Sequence, residues 1–339
     1  MTMLITQLYQ QMLEEDRPTA TSLRAIAMLG YDTIEEFASA ARVVPTAFET
    51  YLHTDIEKLL DKLRPEPIPA ADLERIRGID YGLGVELSSI PSITAAPQVF
   101  FSEKGVRNEV DLTAEMPAIR DQNPRGACVA HAALAVFEHR LGQQDMPPDM
   151  SEQFLTFICK EDDGMPHLEG SSLGTAFARL QRLGCCREET WRYNNRSIPC
   201  NWGQGPPPAG ASNEASEFRI DGIDQIAPRR VLDLKVVLDS NRCVAFSIPA
   251  FRSWFCSDEV KASGNIHMPP PGDLPMGGHA MCMVGYRDMP DKPLLGGGVF
   301  LIRNSWGERW GNKGYGTIPY RFIECFAAEA FSIDALLAR

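Results

Sequence analysis

The chain has 339 residues, with 33 Lys and Arg against 45 Asp and Glu, for a formal net charge of −12. Charged residues at 23% and hydrophobic residues at 44% describe a globular protein with a sizeable core, and exclude bulk disorder, collagen-like repeats and a coiled coil. The acidic balance opposes sequence-independent nucleic-acid binding, which neutralises phosphates with Lys and Arg. No run reaches the roughly eighteen apolar residues of a membrane span. The N-terminus lacks the basic start and long apolar stretch of a secretory signal, so the expected location is the cytosol, or outside the cell by a route that leaves no cleavable signal. Nine cysteines cannot all pair within one chain, so at least one thiol is free.

Residues 1–64 form a small all-α module. Leu4, Leu8 and Met12, with Ile5 and Tyr9 beside them, make one apolar stripe at helical spacing. Leu23, Ile26 and Ala27 continue the pattern in a second helix that Gly30 would end. Thr33 with Glu36 and Thr54 with Glu57 fit capping boxes. The alternating Pro65, Pro67 and Pro69 open a linker over 65–110, an extended, semi-rigid spacer with one short helix expected from Leu73 to Ile79. From Asp111 to residue 339 the chain reads as one large domain of mixed helix and strand. Within it, residues 194–217 are a loop excursion rich in Asn, Pro, Gly and Ser.

The chemistry lies in three segments of that domain. In the first, Gln122-Asn123-Pro124-Arg125-Gly126-Ala127 makes a turn, and Cys128 opens an apolar run at helical spacing. A cysteine in the first turn of a helix sits at the positive end of the dipole, which favours the thiolate. In the second, Gly277-Gly278-His279-Ala280-Met281 reads as a strand entered through a glycine pair. In the third, a strand from Val299 runs into Asn304-Ser305-Trp306-Gly307 and on through Trp310-Gly311 to Gly314-Tyr315. A cysteine, a histidine 151 residues later and an asparagine 25 after that stand in the order of a Cys-His-Asn hydrolase.

On these motifs the domain resembles a papain-like cysteine peptidase, and most of all its bacterial intracellular-type members. The Asn-Ser-Trp-Gly-x-x-Trp-Gly-x-x-Gly-Tyr pattern is complete from Asn304 to Tyr315. Ser151-Glu152-Gln153 resembles the helix start after the first catalytic helix, and Trp191-Arg192-Tyr193 an aromatic-Pro-Tyr segment. The resemblance implies an α+β, papain-like two-lobed fold, with a helical left lobe, a β-barrel-like right lobe and the all-α extension in front.

It also implies the roles. Cys128 is the nucleophile, its pKa lowered by the helix terminus and a neighbouring imidazolium. His279 is its proton partner and Asn304 orients the imidazole. Gln122, six residues before Cys128, is an oxyanion donor together with the Cys128 amide. Gly170 and Ser171 meet substrate backbone, and Trp306 stands with them while shielding the Asn–His bond from water. Cys159 and Cys200 fall near a second family disulfide, a bridge in an oxidising compartment and two thiols in the cytosol. Departures are Arg125, which removes one half of a disulfide common in secreted members, and Val129 in place of tryptophan.

The implied function is hydrolysis of peptide bonds in a peptide or protein substrate, with no metal and no cofactor. Residues 65–110 are placed either to block the cleft or to wrap the domain. Residues 1–64 carry 6 Lys and Arg against 10 Asp and Glu, a net of −4, which points to a protein partner for this module and away from nucleic acid. A targeting or interaction protein, and an acyl-transferring ligase or transpeptidase, are the competing readings. The other histidines are expected to be packing or surface residues, His131 above all, since it shares a helix with Cys128. Cys243, Cys256, Cys282 and Cys325 are expected in apolar or strand-like surroundings.

Overall fold

The computed structural model describes residues 105–337, except 147–148, 165–168, 197–202, 270–272 and 274, together with 83–85 and parts of the first 63 residues (8–9, 12, 15–28, 34, 37–38, 41, 49, 52 and 54–63). The stripe at Leu4, the box at Thr33, the helix from Leu73 and residues His53, His167 and Cys200 lie outside the described residues.

In the N-terminal region, helix α1 spans Arg17–Met28 and α2 spans Ile56–Leu63. Helix α2 buries Ile56, Leu59, Leu60 and Leu63 along one face, the i, i+3, i+4, i+7 spacing of an amphipathic helix. Its cap corrects the expectation by one residue: Asp55, not Thr54, accepts the Lys58 amide at 3.1 Å. The helix starts one position later than the box requires, and a carboxylate there meets the positive helix end.

The first strand of the large domain is β1, Glu109–Asp111, which pairs antiparallel with a later strand. Three helices follow: α3, Cys128–Gly142; α4, Glu152–Lys160; and α5, Leu173–Arg182. Nearly every side chain of α3 is buried, because it runs through the middle of the domain. Ser151 and Ser172 cap α4 and α5 by accepting the amides of Phe154 and Thr175.

The second half is a sheet. Strands β2 (Ile220–Gln225), β3 (Val244–Phe251), β4 (Pro275–Asp288), β5 (Gly298–Arg303), β6 (Tyr315–Pro319) and β7 (Glu329–Leu336) follow in sequence, with helices α6 (Val231–Asp239) after β2 and α7 (Tyr320–Phe326) before β7. In space the order is β2-β7-β3-β4-β5-β6, with β1 also on β4, and every pair is antiparallel. The Gly296-Gly297 turn joins β4 to β5 through a Met289 N–H to Gly297 O bond of 2.6 Å, as the glycine run suggests. Strand β3 is buried along its whole length, and each large apolar side chain it hides contributes about 2 kcal/mol.

The two halves meet where α3 packs on β4. A second tie is Glu329 at the start of β7. Its buried carboxylate accepts the Leu173 and Gly174 amides at 3.3 and 3.1 Å and the Ser247 hydroxyl at 3.0 Å. It thereby joins the N-terminus of α5 to β3.

Candidate active site

Cys128 begins α3, and no side chain caps that helix start. The first amides are therefore left for the sulfur: burial pushes the thiol up to about 12, while the N–H groups of Ala280, Gly84, Val129 and Cys128 itself pull against it. The Ala280 contact brings the sulfur to β4, one residue from His279. On that strand His279 pairs with Ile248 of β3 and is fully buried.

Asn304 follows directly on β5. Its Oδ1 accepts from His279 Nε2 at 2.8 Å and from the Ser305 amide at 2.8 Å. The second bond fixes which end of the amide faces the ring, so Nε2 carries the proton. In a neutral imidazole Nδ1 is then the basic nitrogen, and it has no hydrogen-bond partner among the described residues.

Trp306 covers the pair. Its ring stacks on His279 with centroids 4.6 Å apart and 29° between planes, and Trp310 meets it edge-on at 5.6 Å. Trp306 is 2% exposed in this structure.

Gln122 is buried and held from two sides. Its Nε2 donates to Arg125 O at 2.8 Å, its Oε1 accepts the Ser305 hydroxyl at 2.6 Å, and its backbone N–H bonds Ser305 O at 2.8 Å. The structure thus brings Cys128, His279, Asn304, Trp306 and Gln122 to one place.

Gly170 and Ser171 form the opposite wall, and they already hold a peptide: residues 83–85. The Ser171 amide donates to Gly84 O at 2.9 Å, and the amides of Gly84 and Val85 donate to Gly278 O at 3.2 and 3.0 Å. Val85 bridges to Ser171 in parallel and to Gly278 antiparallel. The fit needs bare backbone. Gly170 has φ of +95°, and a Cβ there would lie 2.6 Å from Gly84 O. This part of the expected linker therefore lies in the groove between the two walls.

Burial lowers His279 to about 4, with the Asn304 bond opposing, just as it raises the Cys128 thiol. Burial thus opposes the expected thiolate and imidazolium, because a charge pair loses its hydration in a covered site.

Other expectations resolve as follows. Cys159 is a free, buried thiol inside the apolar face of α4, where burial raises its pKa; its expected partner Cys200 lies outside the described residues. Cys256 is exposed, unlike Cys243, Cys282 and Cys325, because it ends a short surface helix, Arg252–Cys256. His131 is a packing residue: its Nδ1 lies 3.0 Å from Ala127 O and its ring meets Tyr193 edge-on.

Sequence reasoning missed the acid pair behind Asn304. Burial pushes Glu152 up to about 7, with Arg120 opposing, and holds Glu138 well above the usual range. The only signal was Glu138 on the apolar run of α3. Among the described residues no group of three or more His, Cys, Asp or Glu is placed to hold a metal ion, and no helix is long and apolar enough to cross a membrane.

The family model of papain family cysteine proteases matches residues 106–333. An uncharacterized peptidase C1-like protein of Acanthamoeba polyphaga mimivirus is 27% identical over 236 residues, covering 67% of this chain and 72% of its own. Cysteine proteinase 2 of Entamoeba histolytica is 26% identical over 207 residues, and the match spans 58% of each chain. Among solved structures, xylellain, a cysteine protease from Xylella fastidiosa, superposes with a TM-score of 0.65 at 25% identity, over 78% of this chain and 98% of that one. Procathepsin L 3 of Tenebrio molitor shares the fold, with a TM-score of 0.56 at 19% identity, over 77% of this chain and 78% of its own.

Proposed function

Because the chain belongs to the papain family of cysteine proteases, we propose that it hydrolyses peptide bonds with Cys128, His279, Asn304 and Gln122, and that residues 83–85 hold the enzyme off by occupying the cleft. The observation that carries the catalytic reading is the His279 Nε2 to Asn304 Oδ1 bond of 2.8 Å. It leaves Nδ1 as the base on a residue next to the one whose amide faces the Cys128 sulfur.

The chemistry follows from these groups. When the strap leaves, water re-enters and the thiol proton passes to His279 Nδ1. The thiolate attacks the substrate carbonyl carbon, and the oxygen takes up the electron pair. That oxyanion is stabilised by the Cys128 amide and by Gln122; one amide hydrogen of Gln122 is used on Arg125 O, and the oxyanion takes the other. Losing one such donor typically costs about 100-fold or more. As the tetrahedral species collapses, His279 returns the proton to the departing amine. Water, deprotonated by His279, then attacks the thioester, and the acid and the thiol are regenerated.

Substrate backbone would take the place of the strap, with Ser171 N–H and Gly278 O as its partners. The strap is restrained from either wall by groups a substrate also needs, so the two exclude each other. Hydrolysis of a mixture of quenched fluorescent peptides by the full-length chain tests the reading. Turnover is expected, and Cys128→Ala should lower it about 1000-fold or more. Equal turnover by Cys128→Ala would refute the assignment.

A further inference from the structure

Arg125 is 1% exposed, three residues before the proposed nucleophile. A buried guanidinium is costly unless it is well paired. Its Nη1 donates to Gln153 Oε1 at 2.6 Å and to Asn194 O at 2.8 Å, and the guanidinium carbon lies 5.2 Å from the centre of the Tyr193 ring. Tyr193 in turn donates its hydroxyl to Gln122 O at 3.0 Å, while Arg125 O accepts from Gln122 Nε2. The next residue is tied as well: Gly126 N–H donates to Glu169 Oε2 at 3.2 Å, one residue before the Gly170 wall.

Gln122 is thus held on one flank by Ser305, which belongs to the Asn304 loop, and on the other by groups that Arg125 places. We propose that Arg125 is a positioning residue for the oxyanion-binding pair. It clamps residues 122–127 against the Gln153–Asn194 face, so that the Gln122 amide and the Cys128 N–H converge on one point. The clamp acts only through the geometry of Gln122 and the helix start; the guanidinium touches no substrate atom. The inference rests on the catalytic reading above.

The test separates nucleophile from oxyanion site in the full-length chain. Iodoacetamide alkylates Cys128 without forming a tetrahedral oxyanion, whereas a peptide aldehyde binds as a hemithioacetal whose oxygen occupies that site. Arg125→Ala is expected to weaken aldehyde inhibition and lower kcat by about tenfold or more, with KM and the alkylation rate kept within about twofold. Arg125→Lys, a cation without the planar fork, should recover part of the loss. Tyr193→Phe removes the hydroxyl that bonds Gln122 O and meets the Arg125 guanidinium, and should weaken the aldehyde by about threefold or more. Tyr193→Phe decides the matter if Arg125→Ala does not fold. Unchanged aldehyde affinity in a folded Arg125→Ala or in Tyr193→Phe would overturn the proposal, as would equal losses in alkylation and aldehyde binding. Failure of Gly84→Ala, in which the strap cannot seat, to be alkylated at Cys128 would instead overturn the catalytic reading.

Discussion

Gly84 and Gly126 lie so close that a Cβ built on Gly84 would stand 2.1 Å from the Gly126 carbonyl oxygen. Both contacts are backbone, so nothing flexible can yield. Overpacking of this kind costs about 1–3 kcal/mol or more, which the seated strap must bear and the open cleft does not. Gly84→Ala should therefore raise the initial rate on short peptides by about tenfold or more, with Cys128 chemistry unaltered. An unchanged rate in a folded variant would mean that the strap does not limit access.

Protonation gives a second handle. With the strap seated, burial holds Cys128 up to about 12 against an ordinary 9.0, and His279 down to about 4 against an ordinary 6.5. The raised thiol pKa supports closure fully below pH 9 and less as pH rises toward 12. The lowered imidazole pKa supports closure above pH 6.5 and is lost as pH falls toward 4. Closure should be firmest between these limits and loosen in mild acid. Hydrogen exchange reads this directly: protection of the Gly84, Val85 and Ser171 amides, corrected for intrinsic rates, should fall as pH drops from about 7 to about 4.5. Constant protection would contradict the sign.

Asn304→Ala removes the acceptor that fixes the His279 tautomer and ring plane. The expected loss is in kcat, by about tenfold or more, with KM little changed. Steady-state kinetics on one peptide substrate checks it; a pure KM effect would place Asn304 in substrate binding.

Glu329→Ala strips a buried acceptor from two α5 amides and the Ser247 hydroxyl. Stranding such donors should cost about 2–4 kcal/mol of stability, read as a lower urea midpoint. Glu329→Gln keeps an acceptor oxygen and should cost less. No change in midpoint for Glu329→Ala would show that water meets these donors.

The proposed triad is legible in the sequence because each member sits where local turn and strand chemistry is written into neighbouring residues: the Asn-Pro-Arg-Gly turn before Cys128, the glycine pair before His279, the Gly/Trp loop after Asn304. Leu83-Gly84-Val85 carries no such mark. Its partners, Ser171 and Gly278, are distant in sequence and contribute backbone alone, so nothing in residues 83–85 themselves points to the pairing. At Cys128 the helix terminus favours a lowered thiol pKa, and burial of the sulfur opposes it. The Asp55 cap shows the usual one-residue uncertainty at helix ends.

The most direct test of the account is labelling of the full-length chain by an epoxide that carries a short peptide, with the modified residue identified by mass spectrometry. The account predicts one adduct, on Cys128, formed slowly in the wild-type chain, faster in Gly84→Ala and not at all in Cys128→Ala. Labelling of Cys128→Ala to the same extent, or an adduct on another of the nine cysteines, would contradict it.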